Sequence, residues 1–474
     1  MNTVTLGPGS SALALSQALA AGDLRAVDLM QATLARIDAV NGDVNAIVAL
    51  KDPDALMADA RAADGSDRSG WLHGIPIAIK DLANAAGFPT SMGSTIFAGQ
   101  MAAQDDIMVA RLRAAGAIVI GKTNTPQFGL GSHSTNPVFG ATRNPYDTAR
   151  SAGGSSGGAG VALACAMLSV ADGSDMMGSL RNPAGWNNVY GMRPTWGLVP
   201  SEPQGDAFLH QLATNGPMAR CPRNLAALLD TMAGADPRQP HGLSAAPTLP
   251  QIDGHLAGPR IGWLGDWGGA LAMEAGVLEL CADALAQFGD LGCVVEAMDA
   301  PFGRDALWQS WTTLRSFAVA GGLAPLYHNE RQRAHLNTQA QWEVSRGLAL
   351  SATEVHAASV IRTDWFKTAV TLFQSYDALA LPTAQMWPFD VTLDWPREIA
   401  GTTMDTYHRW MEVVVPASLI GLPVVSVPAG FGGPDNLPMG LQLIGPRGSD
   451  ARLLQLAEAW HQATDWPTRR PPPR

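Results

Sequence analysis

Three short segments of the chain carry groups that could do chemistry together. Lys80 closes the run Gly74-Ile-Pro-Ile-Ala-Ile79 and stands beside Asp81; Gly153-Gly-Ser-Ser-Gly-Gly158 holds two adjacent serines; Gly173-Ser-Asp-Met-Met-Gly-Ser-Leu-Arg-Asn-Pro-Ala184 sets Ser179 in a glycine-flanked loop. A serine hydroxyl is a weak nucleophile and needs a base against it. Lysine can be that base only as the neutral amine, whereas an ordinary lysine, with a pKa near 10.4, is charged at neutral pH. Burial lowers that value by penalising the ammonium form. Singly the segments say little, because a lysine after a strand is usually a solvated end and Gly-Ser loops are common. Their combination and order carry the information.

Two better-known patterns overlap them. Gly116-Ala-Ile-Val-Ile-Gly-Lys-Thr123 matches the phosphate-loop spacing GxxxxGK[ST], but its middle is β-branched. A strand should precede that motif rather than fill it, so nucleotide binding is not expected. Gly153-Gly-Ser-Ser-Gly157 matches the nucleophile elbow GxSxG. An elbow needs a strand directly before it and a histidine late in the chain. Here Asn144-Pro-Tyr-Asp-Thr-Ala-Arg-Ser151 is turn-like, and His328, His335, His356 and His408 stand in no distinctive context.

The elements that must position these groups alternate. Residues 10–40 read as two amphipathic helices broken near Gly22 and Asp23, and 53–64 as a third. Residues 74–79 read as a strand ending at Lys80, followed by a helix around 105–115 and a strand over 117–120. The Gly/Ser/Asn/Pro-rich stretch 129–200 reads as a functional loop system with one helix over 159–170. Beyond it come helices near 224–233 and 273–288, strands near 260–264 and 292–296, strand-like runs at 424–427 and 440–444, a helix over 450–462 and a frayed tail at 470–474. Strand–helix alternation of this kind argues for an α/β sheet.

Composition excludes several classes. The 474 residues are 46% hydrophobic and 15% charged, as suits a large buried core rather than disorder. A net charge of −11 without a dense basic run argues against nucleic acid and anionic membranes as partners. Cys165, Cys221, Cys281 and Cys293 are scattered, with no metal-ligand spacing and no disulfide framework. Neither a signal peptide nor an apolar run long enough to span a membrane is visible, so the expected address is the cytoplasm.

Together the three segments closely resemble the amidase signature family. The resemblance extends from Ala39-Val-Asn41 through Gly121-Lys-Thr-Asn124, Gly140-Ala-Thr-Arg-Asn-Pro145 and Gly191-Met-Arg-Pro-Thr195 to Gly421-Leu-Pro-Val-Val-Ser-Val-Pro428 and Pro438-Met-Gly-Leu-Gln-Leu-Ile-Gly445. It implies an α/β fold with a mixed central sheet flanked by helices on both faces. It also implies one domain over 1–474: N-terminal helices to 65, a signature core over 66–200, and a remainder whose 300–410 region varies and faces substrate. Lys80, Ser155 and Ser179 match the family's Ser-Ser-Lys triad, with Ser179 as nucleophile, Ser155 as relay and Lys80 as base. The backbone N–H groups of Met176, Met177 and Gly178, with that of Ser179, would form the oxyanion hole, and Gly129 is a candidate substrate-binding position. Asp175 and Arg181 read as a buried pair holding that loop.

The resemblance implies hydrolysis of an aryl or aliphatic amide or a carbamate (urethane) through an acyl-enzyme, with no metal or organic cofactor and with room for a homodimer. Its rivals are the glutaminase-type component of a tRNA-dependent amidotransferase and a non-enzymatic scaffold. Trp308, Trp311, Trp342, Trp365, Trp387, Trp395 and Trp410 crowd the 300–410 region, mostly as core, with some expected at the site mouth. One position departs from the family: Met177 stands where glycine is common. The loop must therefore take a backbone conformation open to an L-residue, and the Met177 thioether is expected to line the acyl pocket.

Overall fold

The computed structural model describes residues 6–209, 211–254 and 256–473. Its centre is an eight-stranded mixed sheet in the order Val294–Ala297, Arg260–Trp263, Ala378–Pro382, Leu437–Ile444, Val424–Gly432, Tyr190–Arg193, Thr214–Ala219, Val170–Asp175. The first three strands run parallel and every later neighbour is antiparallel. A second sheet of three strands, Ile47–Val48, Ile118–Thr123 and Pro76–Lys80, lies at the Val170–Asp175 end. There the Lys80 N–H donates to both oxygens of Asp172, at 3.1 and 3.3 Å.

Alternation along the strands shows how the sheets are covered. Ile77, Ile79, Val119 and Val170 join one apolar cluster, while Ala78, Ile118, Ile120 and Ala171 join another. Successive strand side chains point to opposite faces, so both faces are buried. The second cluster is closed by helices Ala26–Val44, Pro53–Asp64 and Gly157–Ala164; the first by Pro222–Met232, Val277–Asp290 and Asp450–Thr464 among others. The expected mixed sheet with helices on both faces is therefore observed.

Several elements differ from expectation. The helix read over 159–170 is Gly157–Ala164; the chain reverses at Ala166, with φ 56°, and Val170–Asp175 is a strand. Three long helices, Arg304–His328, Thr338–Ala349 and Ala352–Leu372, fill the aromatic region, and Ala378–Pro382 lies inside the sheet. The tail is not frayed at its start. The Arg470 carbonyl accepts from the Tyr146 hydroxyl at 2.9 Å and from Asn188 at 3.1 Å. Residue 474 lies outside the described residues.

Trp460 shows what the core contributes. It is fully buried, stacks on Phe288 with centroids 4.6 Å apart, and donates its indole N–H to the Pro428 carbonyl at 2.9 Å. Trp460→Ala should cost about 3–5 kcal/mol of stability, seen as a lowered urea midpoint. A midpoint unchanged from the native protein would show that this layer tolerates the cavity.

Candidate functional site

The β-branched strand Pro76–Lys80 is buried at every position and carries Lys80 to its end, 1% exposed. The ammonium nitrogen lies 2.7 Å from Ser155 Oγ, 2.8 Å from Ser156 Oγ, and 3.0 and 3.3 Å from Ser174 Oγ and O. Burial pulls its pKa down to about 7, against the opposing pull of Asp172 and Asp175. Lys80 is thus an amine that can be neutral at ordinary pH.

Ser155 sits in the turn before helix Gly157–Ala164, after a cis Gly154–Ser155 peptide bond. Gly153 is required there: its φ is 75°, and a Cβ would lie 2.4 Å from Asn182 Oδ1. No strand leads into the turn and the Ser155 hydroxyl meets a lysine, so the elbow reading has no support. The phosphate-loop look-alike is a strand, Ile118–Thr123, whose buried Lys122 ammonium donates to the Ala83 carbonyl and Thr90 and lies 3.9 Å from Asp81.

Ser179 is 6% exposed, and its carbonyl accepts the Ser156 N–H at 3.2 Å. That bond ties the third segment to the second, so Lys80, Ser155 and Ser179 are gathered in one place. Asp175 shapes the loop between them. Its carboxylate accepts from the N–H groups of Gly178 (3.0 Å) and Leu180 (3.1 Å), and from Arg181 through Nε and Nη2 (3.0 Å each). Arg193 adds a second guanidinium, 3.2 Å from Asp175 Oδ1, and all three side chains are fully buried. Burial alone would raise the Asp175 pKa, but Arg181 and Arg193 hold it well below the usual carboxylate range.

The clamp engages one of the donors read from the sequence. The Gly178 N–H donates to Asp175 at 3.0 Å. Among the described residues, the N–H groups of Met176, Met177 and Ser179 have no acceptor. Gly178 is needed for shape instead: its φ is 78°, and a Cβ would meet Val414 at 2.9 Å. Met177 avoids the left-handed region, as an L-residue should. Its side chain, however, is 3% exposed and packs into the main apolar core. Met176 is the half-buried one, its sulfur 3.0 Å from Nη1 of the buried Arg315.

Gly129 borders Ser155: a Cβ there would stand 3.6 Å from Ser155 Oγ. The chain beyond it, Leu130 to His133, lines a cavity of about 220 Å³ together with Trp395, Tyr407 and Trp410. His133 is neutral in that wall, its pKa lowered to about 4 by burial, and Asp394 is the one charged side chain among the described lining residues. Trp308, Trp311, Trp365 and Trp387 are core. Sequence reasoning missed Ser156, Ser174, Asp172 and Arg193. The first two adjoin quoted motif residues; the others show no local signal, because their partners are remote in sequence. No group of three or more His, Cys, Asp or Glu among the described residues is placed to hold a metal ion, and no helix among them is long and apolar enough to cross a membrane.

Comparison with known proteins assigns the class. The family model for amidases matches residues 28–454. An acylamidase of Rhodococcus erythropolis is 32% identical, covering 97% of each chain. A glutamyl-tRNA(Gln) amidotransferase chain of Symbiobacterium thermophilum is 33% identical, covering 97% of this chain and 98% of its own. The crystal structure of a bacterial aryl acylamidase of the amidase signature family superposes with a TM-score of 0.91 at 26% identity, over 98% of this chain and 99% of its own. The chain belongs to the amidase family. It is an enzyme that hydrolyses amide C–N bonds.

The clamp makes a test of stability. Asp175→Asn keeps the shape but leaves Arg181 and Arg193 facing each other without a counter-charge, and should cost about 3–5 kcal/mol. Because the Asp175 pKa is depressed in the folded state, its contribution is complete above the unfolded value of about 4 and is lost as pH falls through the folded value. The native protein should therefore lose more stability than the variant on acidification below about pH 4 in urea titrations; parallel losses would remove Asp175 from that account.

Proposed function

We propose that Ser179 is the nucleophile, Ser155 the proton relay and Lys80 the base in hydrolysis of an amide or urethane bearing an aromatic or bulky apolar group. The observation that carries this reading is the buried Lys80 amine 2.7 Å from Ser155 Oγ. Ser179 Oγ attacks the carbonyl carbon while its proton passes through Ser155 to Lys80. The N–H groups of Met176, Met177 and Ser179 receive the developing oxyanion, each such donor contributing about 3 kcal/mol to the transition state. The C–N bond breaks as the proton moves from Lys80 to the leaving nitrogen, and water then attacks the acyl ester on Ser179.

Substrate class is argued from the cavity. Its Trp395, Tyr407 and Trp410 wall suits an aryl or alkyl group, in keeping with the acylamidase and aryl acylamidase relatives. Free glutamine carries two charges at its α-carbon, and the described lining offers Asp394 but no cation for the carboxylate. The same reading treats residues 1–474 as one amidase domain working in the cytoplasm without cofactor, metal or nucleic acid.

Ser179→Ala should abolish turnover and covalent labelling by a fluorophosphonate, and Lys80→Met should lose at least as much activity as Ser155→Ala. Because Lys80 acts as the neutral amine, kcat/KM should rise with pH through about 7. A screen of p-nitroanilides, aryl carbamates, fatty amides and glutamine should favour the aryl compounds. Labelling that survives Ser179→Ala and disappears in Ser155→Ala would replace this assignment with the elbow.

A further inference from the structure

Lys80 has a second neighbourhood. A cavity of about 170 Å³ is lined there by Lys80, Asp172, Ser174, Asp106, Glu202 and Asn215 among others. Ser155, Ser179 and the loop residues Met176, Met177 and Gly178 do not line it. Ser174, whose hydroxyl is 3.0 Å from the Lys80 ammonium, is half-buried and forms part of its wall. Asp172 is 1% exposed and holds the Lys80 N–H with both oxygens. No step of the mechanism above uses it.

A carboxylate buried to this degree is costly unless it is paired and hydrogen-bonded. Lys80 and Lys122, on the two neighbouring strands, supply the opposite charge, and Lys122 is shared with Asp81 at 3.9 Å. Asp175 lies three residues along the same strand, in its own guanidinium clamp. Across the cavity, Asp106 is held by Asn84 and Glu202 by Arg238 and the Ile107 N–H.

We propose that Asp172 is the positioning residue of the base. It pins the strand end so that the Lys80 amine reaches Ser155, and its charge, beside a cavity that solvent can enter, sets how much Lys80 is neutral. This rests on the reading of Lys80 as base. Burial raises the Asp172 pKa to about 6, with the Lys80 N–H, Lys122 and Lys80 opposing, so the carboxylate is ionised where Lys80 titrates and favours its ammonium form. Removing that charge should make Lys80 easier to deprotonate.

The test is the rate of fluorophosphonate labelling of Ser179 against pH in the full-length protein, which needs no knowledge of the substrate. In the native protein the rate should rise through about pH 7. In Asp172→Asn the rise should move to lower pH by about one unit, as expected for loss of one nearby opposite charge. Should the Asn variant not fold, Asp172→Ser removes the same charge and should give the same displacement. A rise that stays in place while the rate falls equally at every pH would make Asp172 a structural residue only, and overturn the proposal. Labelling of Lys80→Met at the native rate and with the native profile would instead overturn the reading of Lys80 as base.

Discussion

The site depends on keeping an amine out of water. An ammonium ion in an apolar interior costs several kcal/mol even after relaxation, so a buried lysine must be met by oxygens on every side or lose its proton. Lys80 does some of each. Four serine oxygens converge on its nitrogen within 3.3 Å, and burial brings its proton affinity near neutrality. Much of the local architecture follows. The strand that delivers Lys80 must be apolar at every position, the turn at Gly153 must fold tightly enough to bring two hydroxyls to one nitrogen, and Val170–Asp175 must run alongside to present Ser174.

The same strand that serves the lysine leads into the loop around Ser179. Asp175, its last residue, takes the Gly178 and Leu180 N–H groups and so turns the chain between them. With Gly178 engaged, the N–H groups on either side of it are left without protein acceptors. A cluster of unpaired buried donors is unfavourable unless an acceptor arrives, and an oxyanion is such an acceptor. The Asp175–Arg181–Arg193 cluster is therefore more than a local brace. It holds the turn through the Gly178 and Leu180 N–H groups and two buried guanidinium groups. Positive φ is confined to Gly178, which leaves position 177 free for a methionine that packs into the core.

What was legible in the sequence was what is local. Lys80 at the end of Pro-Ile-Ala-Ile, the paired glycines around Ser155 and Ser156, and the Gly-Ser loops each show in a few consecutive residues, and the Asp175–Arg181 pair spans only six. The family resemblance then placed them in one site. The strand Val170–Asp175 was not legible, because Val-Ala-Asp-Gly-Ser-Asp has little β-propensity and is held by its pairing with Thr-Asn-Gly-Pro-Met-Ala at 214–219. The helices of 300–410 were obscured by tryptophans that read as a patch rather than as a periodic face. Arg193, Ser174 and Asp172 escaped notice for one reason: each matters through a partner that chain distance hides. The expectation for Met177 failed differently, since sequence position alone cannot tell the two successive methionines of a tight loop apart by the direction of their side chains.

The cavity lined by Leu130 to His133 and the one lined by Lys80 differ in their walls. The one lined by Leu130 to His133 sets Trp395, Tyr407 and Trp410 among polar side chains such as Gln127, Asn136, Asn337 and Asp394. The one lined by Lys80 is walled largely by carboxylates, hydroxyls and amides, which raise the local cost of excluding water. A buried amine with no polar cavity against it would exchange protons with solvent only slowly. With a polar recess against Lys80, its protonation can stay in equilibrium with bulk water. Burial makes the amine basic in the right range; the recess keeps that range tied to the pH outside.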